Sequence, residues 1–340
     1  MEKEGRRMVT ADLLSRARAG DGEAFRELAE SHRRELQVYC YRMLGSIADA
    51  EDAVQETMLA AWQGIGGFTE QRASLRTWLY KIATNRCLNA RRAARRRPVR
   101  EWDVSRFEAP VPTPRDEPIW LQPFPDALLD VPPGPEARFE QIEAISLAFV
   151  TALQLLPPFQ VAVLILRDVL GFHANEVADM LEVTVQSANS ALKRARASLQ
   201  RRQPATGHQP PPTAGSPAED AIVAKFARAW ESADLDALVA LLTDDVFIAM
   251  PPEPFGYEGR DLVTRYCTRQ FAAAGRTYAL VPTRANGQPA FGLYLRGPAG
   301  IRHAAAFYVL TLAGDQICGM TRFEASVLPW FGLPRSLPGR

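Results

Sequence analysis

Prolines concentrated in two segments constrain the fold of this chain more than any other feature. Proline lacks a backbone N–H and its ring clashes with the preceding helical turn, so neither segment can lie inside a helix. We predict a helical unit at residues 1–97, a linker at 98–137, a second helical unit at 138–202, a flexible tether at 203–217, a C-terminal domain at 218–326 and a tail at 327–340. The ten prolines of the first segment are Pro98, Pro110, Pro112, Pro114, Pro118, Pro123, Pro125, Pro132, Pro133 and Pro135.

Charge separates these segments, although the chain as a whole is nearly neutral. The 340 residues hold 40 basic and 39 acidic side chains. Residues 72–100 hold ten basic side chains and no acidic one, whereas residues 101–140 hold three basic and nine acidic ones. A basic segment gains free energy against a polyanion by releasing counterions. The basic run therefore indicates a nucleic-acid surface, or else a solvated face or a targeting patch.

Composition limits the class of protein. An apolar content of 47% is ordinary for a folded chain and excludes wholesale disorder. No stretch reaches the ~18 consecutive apolar residues of a membrane helix, and the charged N-terminus lacks the apolar core of a signal peptide. The four cysteines lie far apart, without metal-binding spacing. We therefore expect no disulfide framework, no metal site and a cytoplasmic location.

The N-terminal unit is predicted to be helical, because residues 11–97 contain no proline and repeat apolar residues at helical spacing. On a helix over residues 47–62, Asp49, Asp52 and Glu56 fall opposite the apolar stripe. Three carboxylates on one side of a helix are either a solvated face or a docking face for a basic partner. Both interpretations stay open at this point.

A helix beginning at Ser74, a favourable N-cap, follows a glycine-containing loop at residues 66–73. Its predicted apolar stripe is Leu75, Trp78, Leu79 and Ile82. Aromatic side chains near this loop suit unstacked bases, although packing in the core is an equally good role for Trp78. Amides can contact base edges while cations hold phosphates. The polar side chains predicted to contact DNA from this helix are Lys81, Asn85, Arg86, Asn89, Arg91 and Arg92.

The middle unit carries a specific local pattern. An apolar helix at residues 159–169 precedes a short helix at 173–181, a turn at 182–183 and a longer helix from Thr184 to about Gln200. Two helices joined by a tight turn, the second one rich in polar side chains, indicate a helix-turn-helix. The alternative is an amphipathic bundle helix with a wet outer face. The side chains predicted to contact DNA are Thr184, Gln186, Asn189, Ser190, Lys193, Arg194 and Arg196.

These two helical units resemble the domains of extracytoplasmic-function (ECF) sigma factors of bacterial RNA polymerase. The resemblance rests on residues 49–56 (DAEDAVQE), 77–85 (TWLYKIATN), 156–158 (LPP), 183–187 (VTVQS) and 192–196 (LKRAR). It implies that an acidic helix with Asp49, Asp52, Gln55 and Glu56 docks on the polymerase. It further implies that the Ser74 helix and the preceding loop melt and recognise the minus-10 element, that the Thr184 helix recognises the minus-35 element, and that the acidic linker threads toward the RNA-exit channel.

The C-terminal unit has a different pattern, with helices at 217–242, a strand near 246–250, a helix at 260–273 and four strand candidates near 277–283, 289–296, 301–312 and 316–326. This order resembles the α+β cone of SnoaL-like, ketosteroid-isomerase-like proteins. The segment at 250–260 and residues 120–126 (WLQPFPD) resemble marks of sigma factors with such an extension. Groups available for acid–base chemistry are Asp244, Asp245, Tyr257, Asp261, His303 and Tyr308, and none lies in a pattern that fixes a pair.

The predicted architecture is thus multidomain, with two all-α sigma domains and an α+β cone. We expect a promoter-recognition subunit that binds core RNA polymerase, with no catalytic residues and no cofactor, whose C-terminal domain regulates activity through an intramolecular contact with the sigma domains. Either the apolar tail at 328–334 and the segment at 250–259 make that contact, or both close the cone's own core. The alternatives are a helix-turn-helix regulator with a small-molecule-sensing cone and an isomerase that carries a DNA-binding region.

Overall fold

The computed structural model describes residues 2–71, 73–94, 112–114, 120–129, 143–202, 209–253, 255–272, 277–297 and 300–338. The chain forms two compact units. The first, which we call the helical unit, comprises residues 1–98, 128–138 and 148–204. The second, the mixed unit, comprises residues 99–127, 139–147 and 205–340. No helix among the described residues combines the length and the apolar character that crossing a bilayer requires.

The N-terminal part of the helical unit contains α1 (Glu2–Arg18), α2 (Gly22–Leu44), α3 (Ile47–Gly64) and α4 (Leu75–Ala94). Local sequence sets their ends. The Ser46 hydroxyl accepts from the Asp49 amide at 3.1 Å and the Ser74 hydroxyl accepts from the Thr77 amide at 3.0 Å, so both serines cap helices as N-cap chemistry predicts. Gly45 ends α2 with a φ of 73°, which favours glycine.

The buried faces of α3 and α4 differ in how well the sequence predicted them. On α3 the apolar stripe is buried as expected, with Ile47, Ala50 and Ala61 fully inaccessible. On α4 the buried residues are Leu79, Tyr80, Ala83, Thr84, Cys87 and Arg91. Of the predicted stripe only Leu79 is buried, while Leu75, Trp78 and Ile82 are half-buried. The α4 prediction was therefore largely wrong, because α4 packs against more than one neighbouring element.

The second part of the helical unit contains α5 (Leu147–Gln154), α6 (Pro158–Leu164), α7 (Ala174–Leu181) and α8 (Val185–Arg202), and α6 continues as a single π-helical turn at Ile165–Val169. Glu182 turns the chain between α7 and α8 with a φ of 56°. The Glu176 carboxylate accepts from the His173 amide at 2.8 Å and so caps α7. The predicted helix-turn-helix is present.

The mixed unit contains α9 (Pro217–Glu231), α10 (Leu235–Val239) and α11 (Arg260–Ala272) beside one sheet. Its strand order is β1-β3-β2-β7-β6-β5-β4, with β8 pairing β6. Strands β2 and β7 pair in parallel and the other pairs are antiparallel. The strands are β1 (Thr113–Pro114), β2 (Leu242–Ala249), β3 (Phe255–Glu258), β4 (Tyr278–Ala285), β5 (Gln288–Arg296), β6 (Arg302–Ala313), β7 (Gln316–Glu324) and β8 (Ser336–Leu337).

Aromatic side chains fill the space between the helices and the sheet. Trp230 is 1% exposed, and its ring centroid lies 5.2 Å from that of Tyr308 and 5.5 Å from that of Phe226. The Tyr308 hydroxyl lies 3.2 Å from the Tyr266 hydroxyl. The expected α+β architecture is confirmed, and its four predicted C-terminal strands match β4 to β7 closely.

The tail packs on its own domain. Residues Ala325–Phe331 form a 3₁₀ helix whose Val327 and Leu328 are buried. The Phe331 ring lies 4.2 Å from the Phe307 ring, and the Tyr294 hydroxyl donates to the Pro334 carbonyl at 2.8 Å. Trp330 is 36% exposed. Of the two roles proposed for the tail, closing the cone's own core fits Leu328 and Phe331.

Part of the predicted linker also belongs to this fold. Strand β1 pairs with β3 through Thr113 and Gly256, and Pro125 forms an isolated antiparallel bridge with Ala285. Leu121 and Phe124 are 6% and 0% exposed. The segment between the two helical parts is therefore built into the C-terminal domain at these points, which proline content alone did not indicate.

Candidate nucleic-acid interface

Helix α8 presents a polar face to solvent. Ala188, Ala191, Leu192 and Ala195 are buried and hold the helix against its own unit. Val185, the first residue of the helix, is apolar but 37% exposed. The predicted DNA-contacting side chains of the helix are all exposed, namely Gln186, Asn189, Ser190, Lys193, Arg194 and Arg196. Thr184 is exposed too, and its hydroxyl accepts from the Ser187 amide at 3.1 Å, as the predicted N-cap.

Arg196 has a partner that the sequence did not reveal. Its guanidinium donates to both Asp168 oxygens, at 2.8 Å and 2.7 Å. This hydrogen bonding raises the pKa of Arg196 further above its usual value. A two-point contact fixes the plane of the guanidinium, so Asp168 positions Arg196 beside the polar face of α8. No periodic signal identifies Asp168, which lies 28 residues away in the chain.

Helix α4 exposes only part of its predicted DNA-contacting set. Asn85, Asn89 and Arg92 are exposed. Arg86 is half-buried, and its Nε lies 3.9 Å from a Glu56 oxygen on α3. The Lys81 ammonium lies 3.0 Å from a Glu182 oxygen and 3.4 Å from the Asp179 carbonyl. In this conformation Lys81 is therefore held by the turn between α7 and α8.

Arg91 is a correction to the predicted interface. It is 8% exposed, and its guanidinium donates to the Met43 carbonyl at 3.0 Å and to the Gln154 and Leu156 carbonyls at 3.2 Å each. Those carbonyls lie at the ends of other helices, where no intrahelical amide can satisfy them. Arg91 thus fastens α4 to α2 and α5, and its charge does not face solvent.

The two helical parts pack together along α4. Tyr80 contacts Phe172 with ring centroids 5.2 Å apart, and the Arg76 guanidinium lies 4.6 Å from the Phe172 centroid. The Thr77 hydroxyl lies 3.4 Å from a Glu176 oxygen on α7. The side of α4 that carries Thr77 and Lys81 therefore contacts the first helix of the helix-turn-helix.

The loop before α4 borders a cavity of about 320 Å³ lined by Arg18, Gly66, Phe68, Thr69, Glu70 and Gln71. Phe68 is 5% exposed and its ring lies 4.9 Å from that of Trp78. The Arg18 guanidinium donates to the Phe68 carbonyl. Phe68 thus packs in the core, while the loop keeps an open space, lined by both polar and apolar atoms, next to the predicted DNA helix.

The predicted polymerase-docking residues all reach solvent. Asp49, Asp52, Gln55 and Glu56 are exposed on α3, opposite its buried stripe. A solvated acidic face beside the half-buried Arg86 leaves this surface able to take a basic partner.

Four of the six groups available for acid–base chemistry in the mixed unit lie at its surface. Asp244, Asp245, Asp261 and His303 are exposed, and Asp244 pairs with Arg260 at 3.0 Å. Tyr257 and Tyr308 are buried, and burial raises the pKa of each hydroxyl. His303, the second residue of β6, is thus not part of the core.

Asn286 joins the linker segment to the sheet. It is fully buried in the β4–β5 turn with a φ of 56°. Its amide nitrogen Nδ2 donates to the Ile145 carbonyl at 2.7 Å, its Oδ1 accepts from the Phe124 amide at 2.7 Å, and its backbone N–H donates to the Phe124 carbonyl at 2.8 Å. The Asn286–Gly287 pair is the usual signature of a tight hairpin turn, a signal that was present in the sequence.

Charged groups reinforce this attachment. The Gly287 amide donates to an Asp126 oxygen at 2.7 Å, and the Arg284 guanidinium donates to Asp126 at 3.3 Å and to the nearly buried Glu219 at 2.6 Å. Burial raises the pKa of the Asp126 carboxyl, although the Gly287 amide and Arg284 act in the opposite direction. The Gln288 side chain accepts from the Leu147 amide at 3.2 Å, directly before α5 continues into the helical unit.

Known proteins match the chain along most of its length. Models described as Sigma-70 region 2 and Sigma-70, region 4 match residues 28–97 and 146–199. The ECF RNA polymerase sigma factor SigG of Mycobacterium tuberculosis is 40% identical over 329 residues, which cover 94% of this chain and 86% of that protein. SigM of the same organism is 32% identical over 191 residues, covering 56% of this chain and 83% of SigM.

Among solved structures, the crystal structure of the Mycobacterium tuberculosis extracytoplasmic function sigma factor SigJ aligns with a TM-score of 0.59 and 21% identity. The alignment covers 91% of this chain and 99% of that one. It supports the same fold for both the helical and the mixed part.

Proposed function

Because the chain belongs to the ECF sigma factors of bacterial RNA polymerase, we propose that its C-terminal domain regulates promoter recognition in cis by holding the segment that joins the two sigma regions. As a sigma factor the protein binds core RNA polymerase and promoter DNA and initiates transcription. The proposal adds a regulatory task, and no chemistry, to the mixed unit. Promoter recognition takes place where the polymerase acts, in the cytoplasm.

The exposed residues divide this work among three surfaces. We assign polymerase docking to the acidic side of α3. We assign minus-10 recognition to the exposed amides and Arg92 of α4 together with the loop at 65–73. Minus-35 recognition belongs to the polar face of α8, where Gln186 and Asn189 lie among the cations expected at phosphates.

The regulatory proposal rests on the hydrogen bonds between Asn286 and the linker. One buried side chain and its backbone bind Phe124 and Ile145, two points of the segment that lie 21 residues apart in the chain. Phe124 buries its whole ring in the C-terminal domain. A linker so held cannot at the same time thread through the polymerase, as the resemblance to ECF sigma factors implies it must.

In this proposal, the C-terminal domain and core polymerase compete for the linker segment. A ligand or partner shifts a two-state equilibrium only by its difference in affinity for the two states. Core polymerase, which needs the segment free, must therefore offset the docking free energy of Phe124, Asn286 and Asp126. Any change that weakens this docking raises the fraction of sigma factor whose linker is free to bind core polymerase.

The contact between α4 and α7 supports a closed state as well. The names of the two promoter elements place them about 25 base pairs apart, or roughly 85 Å of duplex at 3.4 Å per pair. Here Thr77 and Lys81 of α4 contact α7, the helix next to α8. This arrangement cannot bind both elements at once, so promoter binding requires the two sigma regions to separate.

The alternative of a repressor with a sensing cone is not favoured, since the similarity to SigG covers nearly the whole chain. A catalytic cone is not favoured either, because the candidate acids are exposed and the candidate tyrosines are buried.

Run-off transcription with core polymerase tests the proposal on the full chain. Phe124→Ala removes a fully buried ring from the linker side, at a cost of about 3 kcal/mol or more, and so shifts the docking equilibrium roughly a hundredfold toward the free segment. We expect more transcript. Trp120→Ala, at a 67% exposed position of the same segment, is the matched control and leaves the yield unchanged. Equal yields from wild type and Phe124→Ala would refute regulation through this segment.

A further inference from the structure

The C-terminal domain has a strong internal charge asymmetry that regulation through the linker does not use. Residues 204–261 hold ten acidic and three basic side chains, whereas residues 262–340 hold two acidic and nine basic ones. No acidic residue occurs between Asp261 and Asp315. The first half of the domain, with α9, α10, β2 and β3, is therefore negative, and the second half, with most of α11 and β4 to β8, is positive. Such a domain orients in the field of a polyanion.

Three of the nine basic side chains in the second half lie at one end of the sheet. Arg296 ends β5 and lies directly opposite Arg302, which begins β6. Strand β8 pairs with β6 beside Arg302, and the carbonyl of Arg335, just before β8, accepts from the Ala304 amide at 2.9 Å. We call Arg296, Arg302 and Arg335 the arginine corner.

The arginine corner lacks compensating charge in the described part of the chain. None of its three guanidiniums forms an ion pair with a described carboxylate, and the buried Nε of Arg302 has no hydrogen-bond partner among the described residues. Asp315 lies at the far end of β6, about 40 Å away at ~3.4 Å per residue. The other acidic residue of this half, Glu324, lies opposite Ala306.

An arginine pair directly across two strands is destabilising, because like charges face each other at short range. Arg296 and Arg335 are exposed and Arg302 is half-buried, so an external anion can reach all three. Guanidinium groups match phosphate oxygens with paired N–H donors. An array of phosphates would offset this repulsion at the solvent-accessible atoms of the guanidinium groups.

We propose that the arginine corner binds the phosphate backbone of duplex DNA. Duplex DNA is favoured over an acidic protein surface because this chain already brings DNA to α8. Only 14 residues, 203–216, separate the end of α8 from the start of α9, a span of less than ~50 Å. The contact is independent of base sequence, since the corner offers cations rather than side-chain amides.

The test is non-specific DNA binding by the full chain, measured by fluorescence anisotropy with a labelled 30-base-pair duplex that carries no promoter element, over a series of salt concentrations. The variant combines Arg296→Ala, Arg302→Ala and Arg335→Ala. The matched control combines Lys225→Ala, Arg228→Ala and Arg265→Ala, which removes three exposed positive charges from helices α9 and α11 of the same domain.

We expect the corner variant to lower the slope of log affinity against log salt by about 2 to 3, near 0.9 for each phosphate that the arginines no longer neutralise. The control keeps the slope within half a unit of wild type. The corner variant melts at or above the wild-type temperature, because a like-charge pair is removed, and this result excludes unfolding as the cause.

A slope equal to that of wild type overturns the proposal, as does a control that lowers the slope equally. If the corner variant keeps its slope but loses affinity for core polymerase, the corner binds an acidic protein surface and the assignment to DNA is wrong. Because this measurement needs neither polymerase nor transcription, its outcome is independent of the regulatory role of the linker.

Discussion

At the scale of single residues, neighbouring arginines on α4 have opposite tasks. Arg91 is buried against three backbone carbonyls, whereas Arg92 is exposed. Both belong to the same basic run, and helical periodicity alone cannot tell which side of α4 will be covered. Burial separates a residue that stabilises the closed helical unit from one that is free to contact DNA.

Arg91→Ala should lower the stability of the full chain, because it leaves buried carbonyls without donors, at a cost of about 1–3 kcal/mol. Thermal unfolding followed by circular dichroism measures this loss as a fall of several degrees in Tm. Arg92→Ala is the control, with an unchanged Tm and weaker binding to minus-10 DNA. If Arg91→Ala melts like wild type, its hydrogen bonds contribute nothing to stability.

Gln186 and Arg194 separate base recognition from phosphate binding on α8. Gln186→Ala should reduce discrimination between the correct and a mutated minus-35 element by about 1–3 kcal/mol if the amide makes a two-point base contact. Arg194→Ala should weaken binding to both elements alike. Competition binding of the holoenzyme to paired promoter fragments measures both effects. Unaltered selectivity in Gln186→Ala would mean that another face of α8 meets the bases.

At the scale of elements, the contact of α4 with α7 is the one that we propose opens when the protein binds a promoter. It combines the aromatic pair of Tyr80 and Phe172 with polar contacts from Lys81 and Thr77. Exposed ion pairs contribute little each, so the aromatic packing carries most of the stability and the ion pair can tune it. The ion pair joins Lys81 to Glu182, and Glu182, at the turn between α7 and α8, is the more exposed of the two.

Glu182→Gln should free Lys81 and increase binding of the isolated sigma factor to single-stranded minus-10 DNA. The expected change is modest, about twofold, since the pair is exposed and contributes roughly 0.5 kcal/mol. Anisotropy with a labelled oligonucleotide measures it. Asp179→Asn, a carboxylate change on the adjoining helix α7 whose side chain does not pair with Lys81, is the control. A weaker or unchanged affinity in Glu182→Gln would contradict a closing role for this pair.

At the scale of the whole molecule, two segments outside the predicted C-terminal domain complete its fold. One is the tail that follows it, and the other is part of the linker between the two sigma regions. The tail covers one face of the sheet through Phe331 and Leu328. The linker adds β1 and the Phe124 anchor. A chain truncated before this domain therefore differs from the full chain in two ways. It lacks the domain, and its linker segment is undocked, with the apolar side chains exposed.

Phe331→Ala should lower the unfolding free energy of the C-terminal domain by about 2 kcal/mol, because the ring no longer packs on Phe307. Trp330→Ala, one residue away at an exposed position, should leave Tm unchanged. Calorimetry of the two full-length variants makes the comparison. If Trp330→Ala alters transcription without altering Tm, Trp330 is a contact residue for a partner. Equal Tm values for Phe331→Ala and wild type would show that the tail adds no stability.

The sequence by itself determined the helix-turn-helix, the Ser74 cap, the positions of strands β4 to β7 and the membership in the sigma-factor family. These features depend on residues close together in the chain, where periodicity, capping and turn chemistry act. The predicted domain boundaries and individual DNA contacts stay predictions. Only the tertiary structure decided which side of α4 is buried, where Arg91 donates and what holds the linker. The partners in those contacts are far apart, with Arg91 and Leu156 separated by 65 residues and Phe124 and Asn286 by 162. No local pattern encodes such pairs, because their geometry exists only once distant elements have packed.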